Sequence, residues 1–498
     1  MTDPGRRLHP DALGALPAGI GRPRFDRGSL RGGIVHLGLG AFARAHLLAC
    51  TDDALEAGAG PAWGVIGVSL RHPDVRDALG PQGGLYALTL RDAERTVTRV
   101  IGSVREVLVA PEDPGAVIER IAHPDTRIVS LTVTEKGYCH DPATRRLRPD
   151  HPDIAHDLAD PAAPASAIGF IVRGLARRRA AGRGPVTLLS LDNLPANGQT
   201  LRGLVLAFAE RVDGDLARWI AAVCTFPDSM VDRIVPRTTD ADRAEVARAL
   251  GVADAGAIVA EPYLAWAVED RFVAGRPDWS AGGARFVERA EPWEHLKLRM
   301  LNGPHSTIAY LGVLAGWPTV DAAVAQPALR RYIDALMRAE IAPTVAGSLP
   351  GVDLDAYRAD LLARFANPAL AHRTAQIAMD GSQKLPQRLL GTVRDRLAAG
   401  APIDRLALAI AAWCRYLGGT DEAGRTHAVD DPLAAELATL HARAVGEPTI
   451  EARAAAFTRF APVFGDLADA PALVAPLARG LAALRDDGVA GALARLAG

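Results

Sequence analysis

Lysine is almost missing from this chain: Lys136, Lys297 and Lys384 stand against 53 arginines in 498 residues. Nearly every positive charge is a guanidinium, so each lysine that survives asks for a chemical reason. Cysteine is sparse too. Cys50, Cys139, Cys224 and Cys414 lie far apart and never in C-x-x-C spacing, which points to reduced buried thiols rather than a disulfide framework or a structural zinc site. The net charge is only −2, from 56 basic and 58 acidic residues, and leaves no electrostatic case for nucleic acid or an anionic membrane surface. No run approaches the roughly 18 to 20 continuous apolar residues of a spanning helix, and the opening MTDPGRRLHPDALGALPAGIGRP lacks the apolar stretch of a signal peptide. The expectation is a soluble cytoplasmic protein with a small-molecule partner, monomeric or a small homo-oligomer.

What is present is organised in two styles. In the first half, short apolar runs read as buried strands: GIVHLGLG from 33, WGVIGVSL (63–70), LYALTL (85–90), RIVSLTV (127–133) and PVTLLSL (185–191). Helical patterns such as PGAVIERIA and SAIGFIVRGLARRR separate them, and that alternation predicts a mostly parallel, doubly wound α/β sheet. From about residue 290, long Ala/Leu/Arg-rich amphipathic segments take over, such as ALRRYIDALMRAEIAP and IDRLALAIAAWCRYLGG. The reading is an N-terminal α/β domain over 1–285 and a mostly α-helical domain over 286–498.

Gly38-Leu39-Gly40, at the junction of the first strand and the pattern ARAHLLACTDDALEAG, is a shortened G-x-G-x-x-G, with Ala43 in the third position. Such a turn lets the backbone approach a pyrophosphate at a helix N-terminus, although a generic glycine turn reads the same way. Cofactor choice is made after the second strand, in SLRHPDVRD. Asp74 is the candidate ribose-binding acid, which favours NAD. Arg71 leaves NADP open, since it could receive a 2′-phosphate or be a solvated surface charge.

One of the three lysines, Lys297, sits in chemically dense surroundings. Lys297, Asn302 and His305 form K-x4-N-x2-H, preceded by Glu294. On a continuous α-helix at about 100° per residue, Asn302 lies about 140° and His305 about 80° from Lys297, but Gly303-Pro304 predicts a kink or a restart there. Hydride transfer at a secondary alcohol needs a group that takes and returns the hydroxyl proton, and donors for the alkoxide. Lysine can do this and arginine, always protonated, cannot. The plain alternative is a surface lysine. SLDNLPANGQT (190–200) follows a predicted strand, so Asn193 falls at the carboxyl edge of the sheet, where ligands bind; Asn197 and Gly198 read more simply as turn residues.

GLGAFARAH, SLDNLPANG, FPDSMVDRIVP, KLRMLNGPH and DGSQKLPQR, in this order, closely resemble the polyol-specific long-chain dehydrogenase/reductase family, whose members include mannitol 2-dehydrogenases and fructuronate reductases. The likeness covers nearly the whole chain. It implies a metal-independent NAD(P) oxidoreductase with a Rossmann-like N-terminal domain and a mostly helical C-terminal domain, the active site lying between them. By position, Lys297 resembles the general acid/base, and Asn193 and Asn302 the amides that hold the substrate oxygen. His305 resembles a substrate-hydroxyl contact, Glu294 a carboxylate linked to proton exchange, Asp232 a polar site residue and Lys384 a substrate-side lysine. The expected cofactor contacts are Val35, Gly38, Leu39, Gly40, Ala41, Phe42 and Arg44, with Asp74 on the ribose. FARAH replaces the relatives' FHRAH, and NGPH the commoner NGSH.

Charge bears on the substrate. HRTAQIAMDGSQKLPQR (372–388) looks more like fructuronate reductases, with Gln376 where mannitol dehydrogenases tend to carry arginine. Lys136, in TVTEKGY, could reach a substrate carboxylate or simply be structural. Interconversion of D-mannonate and D-fructuronate is therefore favoured over mannitol and fructose. A non-catalytic nucleotide sensor would not need Lys297, Asn193 and Asn302 together, and a zinc polyol dehydrogenase would need a ligand cluster that the cysteine spacing does not provide.

Overall fold

The apolar runs of the first half become the core of a parallel sheet. The computed structural model describes residues 6–92, 94–141, 144–368 and 372–496. Its strands are β1 (Ile34–Leu37), β2 (Val65–Ser69), β3 (Tyr86–Arg91), β4 (Thr96–Ile101), β5 (Val104–Val109), β6 (Ile128–Leu131), β7 (Thr187–Ser190), β8 (Ser229–Asp232), β9 (Ile258–Ala260), β10 (Ala265–Glu269) and β11 (Ala284–Val287). Five of them form one sheet in the order β5-β2-β1-β6-β7, with every pair parallel.

Every residue of β1, β2, β6 and β7 is buried, as a sheet covered on both faces requires. Alternate side chains serve opposite faces. Val35, Leu37, Val68 and Val129 pack toward Phe170 and Leu204 of the helices Ala167–Ala180 and Asn197–Val212, while Ile34, Val65 and Ile128 pack toward Leu48 and Trp266. Two small sheets complete this unit, β4-β3-β9 and β11-β10-β8. β4 and β5 lack a continuous apolar run because each mixes exposed and buried positions; Asp232, Glu269 and Arg285 interrupt the short runs of β8, β10 and β11, and β9 has only three residues.

The chain divides by its contacts into Met1–Glu291 and Pro292–Gly498. The described residues of the second unit form helices and the loops that join them, with no strand. Its inner helix, Gly303–Ala315, is buried along most of its length, and Asp404–Tyr416 crosses Pro471–Asp486 closely enough that a Cβ on Gly480 would stand 3.0 Å from Ala411 Cβ. Three stretches widen into π-helix: Lys297–Asn302, Met337–Ile341 and Pro386–Leu390. Among the described residues no helix is long and apolar enough to cross a membrane. All four cysteines are buried and free.

Candidate active site

The glycine turn sits at the carboxyl end of β1, the middle strand of the sheet. Gly38 adopts φ +89°, and a Cβ there would stand 2.2 Å from the carbonyl oxygen of Thr132, so this position must be glycine. A short network supports it from behind. The Thr132 hydroxyl donates to Gly38 O (2.8 Å). Its one proton is thus committed, so His36 Nε2–H donates to Thr132 Oγ1 (3.0 Å) and His36 Nδ1 accepts from Ser130 Oγ (2.9 Å). Burial pushes His36 down to about 4, which keeps this tautomer neutral.

Gly40 caps the helix Ala41–Ala45, and the space beside its Cα is open. That is the room a pyrophosphate needs, so this strand, turn and helix fit the dinucleotide their spacing suggests. Not every expected contact lies on that surface. Val35 is wholly buried in β1 and serves the core, so its side chain cannot line a cofactor site. The side chain of Leu39 packs over Gly67, leaving only backbone toward the turn. Arg44 sends Nη1 to Gly256 O (2.7 Å) and lies over the Tyr86 ring, whose hydroxyl donates to Arg44 O (2.7 Å); it ties the turn to β3. Ala41 and Phe42 are half-buried beside the turn. The helix expected to run on unbroken stops at His46 (φ −115°, ψ −91°), whose ring packs against Phe42 and Trp266, and restarts as Leu47–Glu56. Asp74 is exposed at the start of the helix Asp74–Leu79, and Arg71 pairs with Asp153 at 2.5 Å.

Asp192, which carries no sequence signal of its own, and Asn197, expected as a turn residue, shape the same sheet edge. Asp192 accepts from Val133 N (2.9 Å), Thr134 N (3.0 Å) and the Tyr138 hydroxyl (2.8 Å), clamping the turn that carries the exposed Lys136. Asn197, only 1% exposed, donates to the carbonyls of Ser190 (3.2 Å), Asp192 (3.0 Å) and Ser229 (2.8 Å) and accepts from Ser229 N (2.9 Å). It is a bridge between the ends of β7 and β8, more than a turn residue, and Gly198 beside it has no room for a Cβ against Pro227 O. This bridge holds the loop of the exposed Asn193 next to β8, which ends in the buried Asp232.

In the second unit Glu294 lies on the helix Glu291–Leu296, and Lys297 opens the π stretch that Asn302 closes. The chain does not break at Pro304. It stays helical from Glu291 to Ala315, because Gly303 N–H donates to Leu298 O, five residues back, and the proline falls in the first turn of the next helix. In a π turn the hydrogen bond reaches back five residues rather than four, which widens the turn. Lys297 and Asn302 therefore stand roughly one above the other, correcting the wide angle an α-helix would give. Lys297 is half-buried and Asn302 is buried. Gly303 is fixed by packing, since a Cβ there would stand 2.8 Å from Arg388 O on another π stretch.

His305 stacks on Phe365 (ring centroids 5.5 Å apart) and meets His372 edge-on (5.1 Å). Burial first, then His372, Arg388, Arg364 and Lys384, push it well below the ordinary histidine range, so its imidazole is neutral. Lys384 donates to Met379 O (2.6 Å) and Ile377 O (3.4 Å), with Asp380 at 3.6 Å. Burial and Arg388 lower it, and Asp380 opposes them. Gln376 is exposed on the short helix Thr374–Ile377. Arg364, His372 and Arg388 were not singled out in the sequence, although DGSQKLPQR contains Arg388.

One group among the described residues brings three potential metal ligands together: Cys139, His151 and Asp153. Two of the three already have partners, Asp153 in the Arg71 ion pair and His151 Nδ1 accepting Asp153 N–H (3.2 Å).

Comparison with known proteins agrees with this architecture. Residues 32–281 match the mannitol dehydrogenase Rossmann domain, and 289–485 match the mannitol dehydrogenase C-terminal domain. A D-mannonate oxidoreductase of Escherichia coli is 47% identical over 87% of this chain and 90% of its own. A mannitol 2-dehydrogenase of Phaeosphaeria nodorum is 41% identical over 95% of this chain and 83% of its own. The structure of Pseudomonas fluorescens mannitol 2-dehydrogenase, a ternary complex with NAD and D-mannitol, is 37% identical and covers 98% of this chain and 99% of that one with a TM-score of 0.82. With both domain models matched in order and relatives of this identity over most of its length, the chain belongs to the mannitol dehydrogenase family of oxidoreductases.

Proposed function

We propose that this protein interconverts D-mannonate and D-fructuronate with NAD. The observation that carries the choice of substrate is the gathering of cationic side chains about His305, where Arg388, Arg364 and Lys384 all act on one neutral ring; a sugar acid can answer such a gathering with its carboxylate and a neutral polyol cannot. The name of the Escherichia coli relative supports the same reading. Mannitol and fructose are the second reading, which rests on the relatives named mannitol 2-dehydrogenase.

In the proposed reaction Lys297, in its neutral form, takes the alcohol proton, and Asn302, one π turn away, donates to the same oxygen as charge develops there. Asn193 is assigned the matching amide role by family resemblance, and Glu294 the exchange of the lysine's proton with solvent. His305, kept neutral, can donate to or accept from a substrate hydroxyl without adding charge. NAD supplies the hydride acceptor when bound, and the open space beside Gly40 and the Gly38 turn would hold its pyrophosphate. Ketone reduction runs the same steps in reverse. The test is oxidation of NADH by the purified protein with D-fructuronate and with D-fructose, repeated with NADPH. Turnover of fructuronate at least tenfold faster in kcat/KM is expected; a preference for fructose overturns the choice of substrate, and a preference for NADPH overturns the choice of cofactor.

A further inference from the structure

We propose that Arg388 reads the anionic end of the substrate, forming with Ser306 a carboxylate subsite one helical turn from Asn302; this rests on the sugar-acid reading above.

Arg388 lies in the π stretch Pro386–Leu390 and is half-buried. A guanidinium carries five N–H donors. Among the described residues Arg388 uses one of them, Nη1 to Ser306 Oγ at 3.0 Å, and has no carboxylate partner. Nearby arginines differ: Arg299 pairs with Asp395 at 2.5 Å and Arg394 with Asp466 at 2.7 Å. The local acids do not fill the gap. Asp380 sits 3.6 Å from Lys384 and is shared electrostatically with Arg388, and Asp431 is occupied by Ser382 N (2.8 Å), Ser382 Oγ (2.5 Å) and Leu433 N (2.9 Å). The buried Tyr310 hydroxyl, which couples to Arg388, also lacks a hydrogen-bond partner among the described residues. Donors outnumber acceptors here, and a half-buried, planar guanidinium is shaped to take a carboxylate with two parallel hydrogen bonds.

The spacing fits as well. Ser306 follows Asn302 by four residues, so it lies just over one turn, about 6 Å, along the helix and on a similar face. In an open-chain hexuronate four C–C bonds of about 1.52 Å separate the keto and carboxyl carbons, an extended span of about 5 Å. With its keto oxygen at Asn302, such a substrate brings its carboxylate to the guanidinium that Ser306 orients.

The experiment compares kcat and KM for D-fructuronate and D-fructose at saturating NADH in the wild type, Arg388→Met and Arg388→Lys. For Arg388→Met the fructuronate-to-fructose ratio of kcat/KM should fall on the order of 10²-fold, mainly through KM, with Arg388→Lys in between because it keeps the charge and loses the fork. A ratio that does not move, with both substrates falling together or neither changing, overturns the proposal. Far-UV circular dichroism checks the fold; if Arg388→Met fails it, Arg388→Lys carries the comparison. If the wild type does not reduce fructuronate, the sugar-acid reading fails by itself. The subsite is then judged by competition: D-mannonate should inhibit ketose reduction by the wild type on the order of tenfold more strongly than by Arg388→Lys, and equal inhibition rejects it.

Discussion

Asp52 offers a quantitative test of how the N-terminal unit is held together. It is 2% exposed on the helix Leu47–Glu56 and accepts Gly102 N–H at 2.7 Å. Burial, partly offset by that hydrogen bond and by Arg99, raises it from an ordinary 3.8 to about 7. A carboxyl with a raised folded pKa stabilises the fold fully below its unfolded value. That contribution is lost as pH climbs from about 4 to 7, because the unfolded chain ionises first, and it stays lost above that. At 1.36 kcal/mol per pH unit, the rise from 3.8 to about 7 is worth ~4 kcal/mol across the window. Asp52→Asn keeps an acceptor for Gly102 and cannot ionise, so the variant should gain ~4 kcal/mol on the wild type between pH 4 and pH 8. In a unit of this size that is a relative rise in Tm of roughly 5 to 10 °C. Scanning calorimetry of both proteins at half-unit pH steps measures it, and parallel Tm curves for the two would refute the argument.

Three further outcomes follow from the site. Lys297→Arg keeps the charge and loses proton transfer, so kcat should drop on the order of 10²- to 10⁴-fold while NADH binding, read by fluorescence, is retained; near-normal turnover ends the acid/base assignment. Gly38→Ala places a Cβ against Thr132 O in a left-handed conformation and should raise the KM for NADH roughly tenfold or more, whereas an unchanged KM would show that the turn does not meet the cofactor. Activity should survive exhaustive chelation; loss that zinc restores would assign a metal to the chain, with Cys139, His151 and Asp153 the first ligands to mutate.

How much of this was legible in the sequence differs from residue to residue. The runs that became β1, β2, β6 and β7 stood out because a strand buried on both faces must be apolar at every position, whereas β4, half exposed, carries no such mark. Lys297 and Asn302 were visible as a pair of types, yet α-helical arithmetic set them far apart. A π turn brings them together, beside the close approach of Gly303 to Arg388 O, and no local propensity encodes it. Asn197 looked like turn chemistry because its partners, Ser190 and Ser229, belong to two different strand ends. The composition itself hid the last residue. Scarcity makes a lysine conspicuous, but 53 arginines make each one look ordinary. Among the described residues Arg388 is set apart by having one hydrogen bond where its neighbours have carboxylates, a property of partners that only the folded chain possesses.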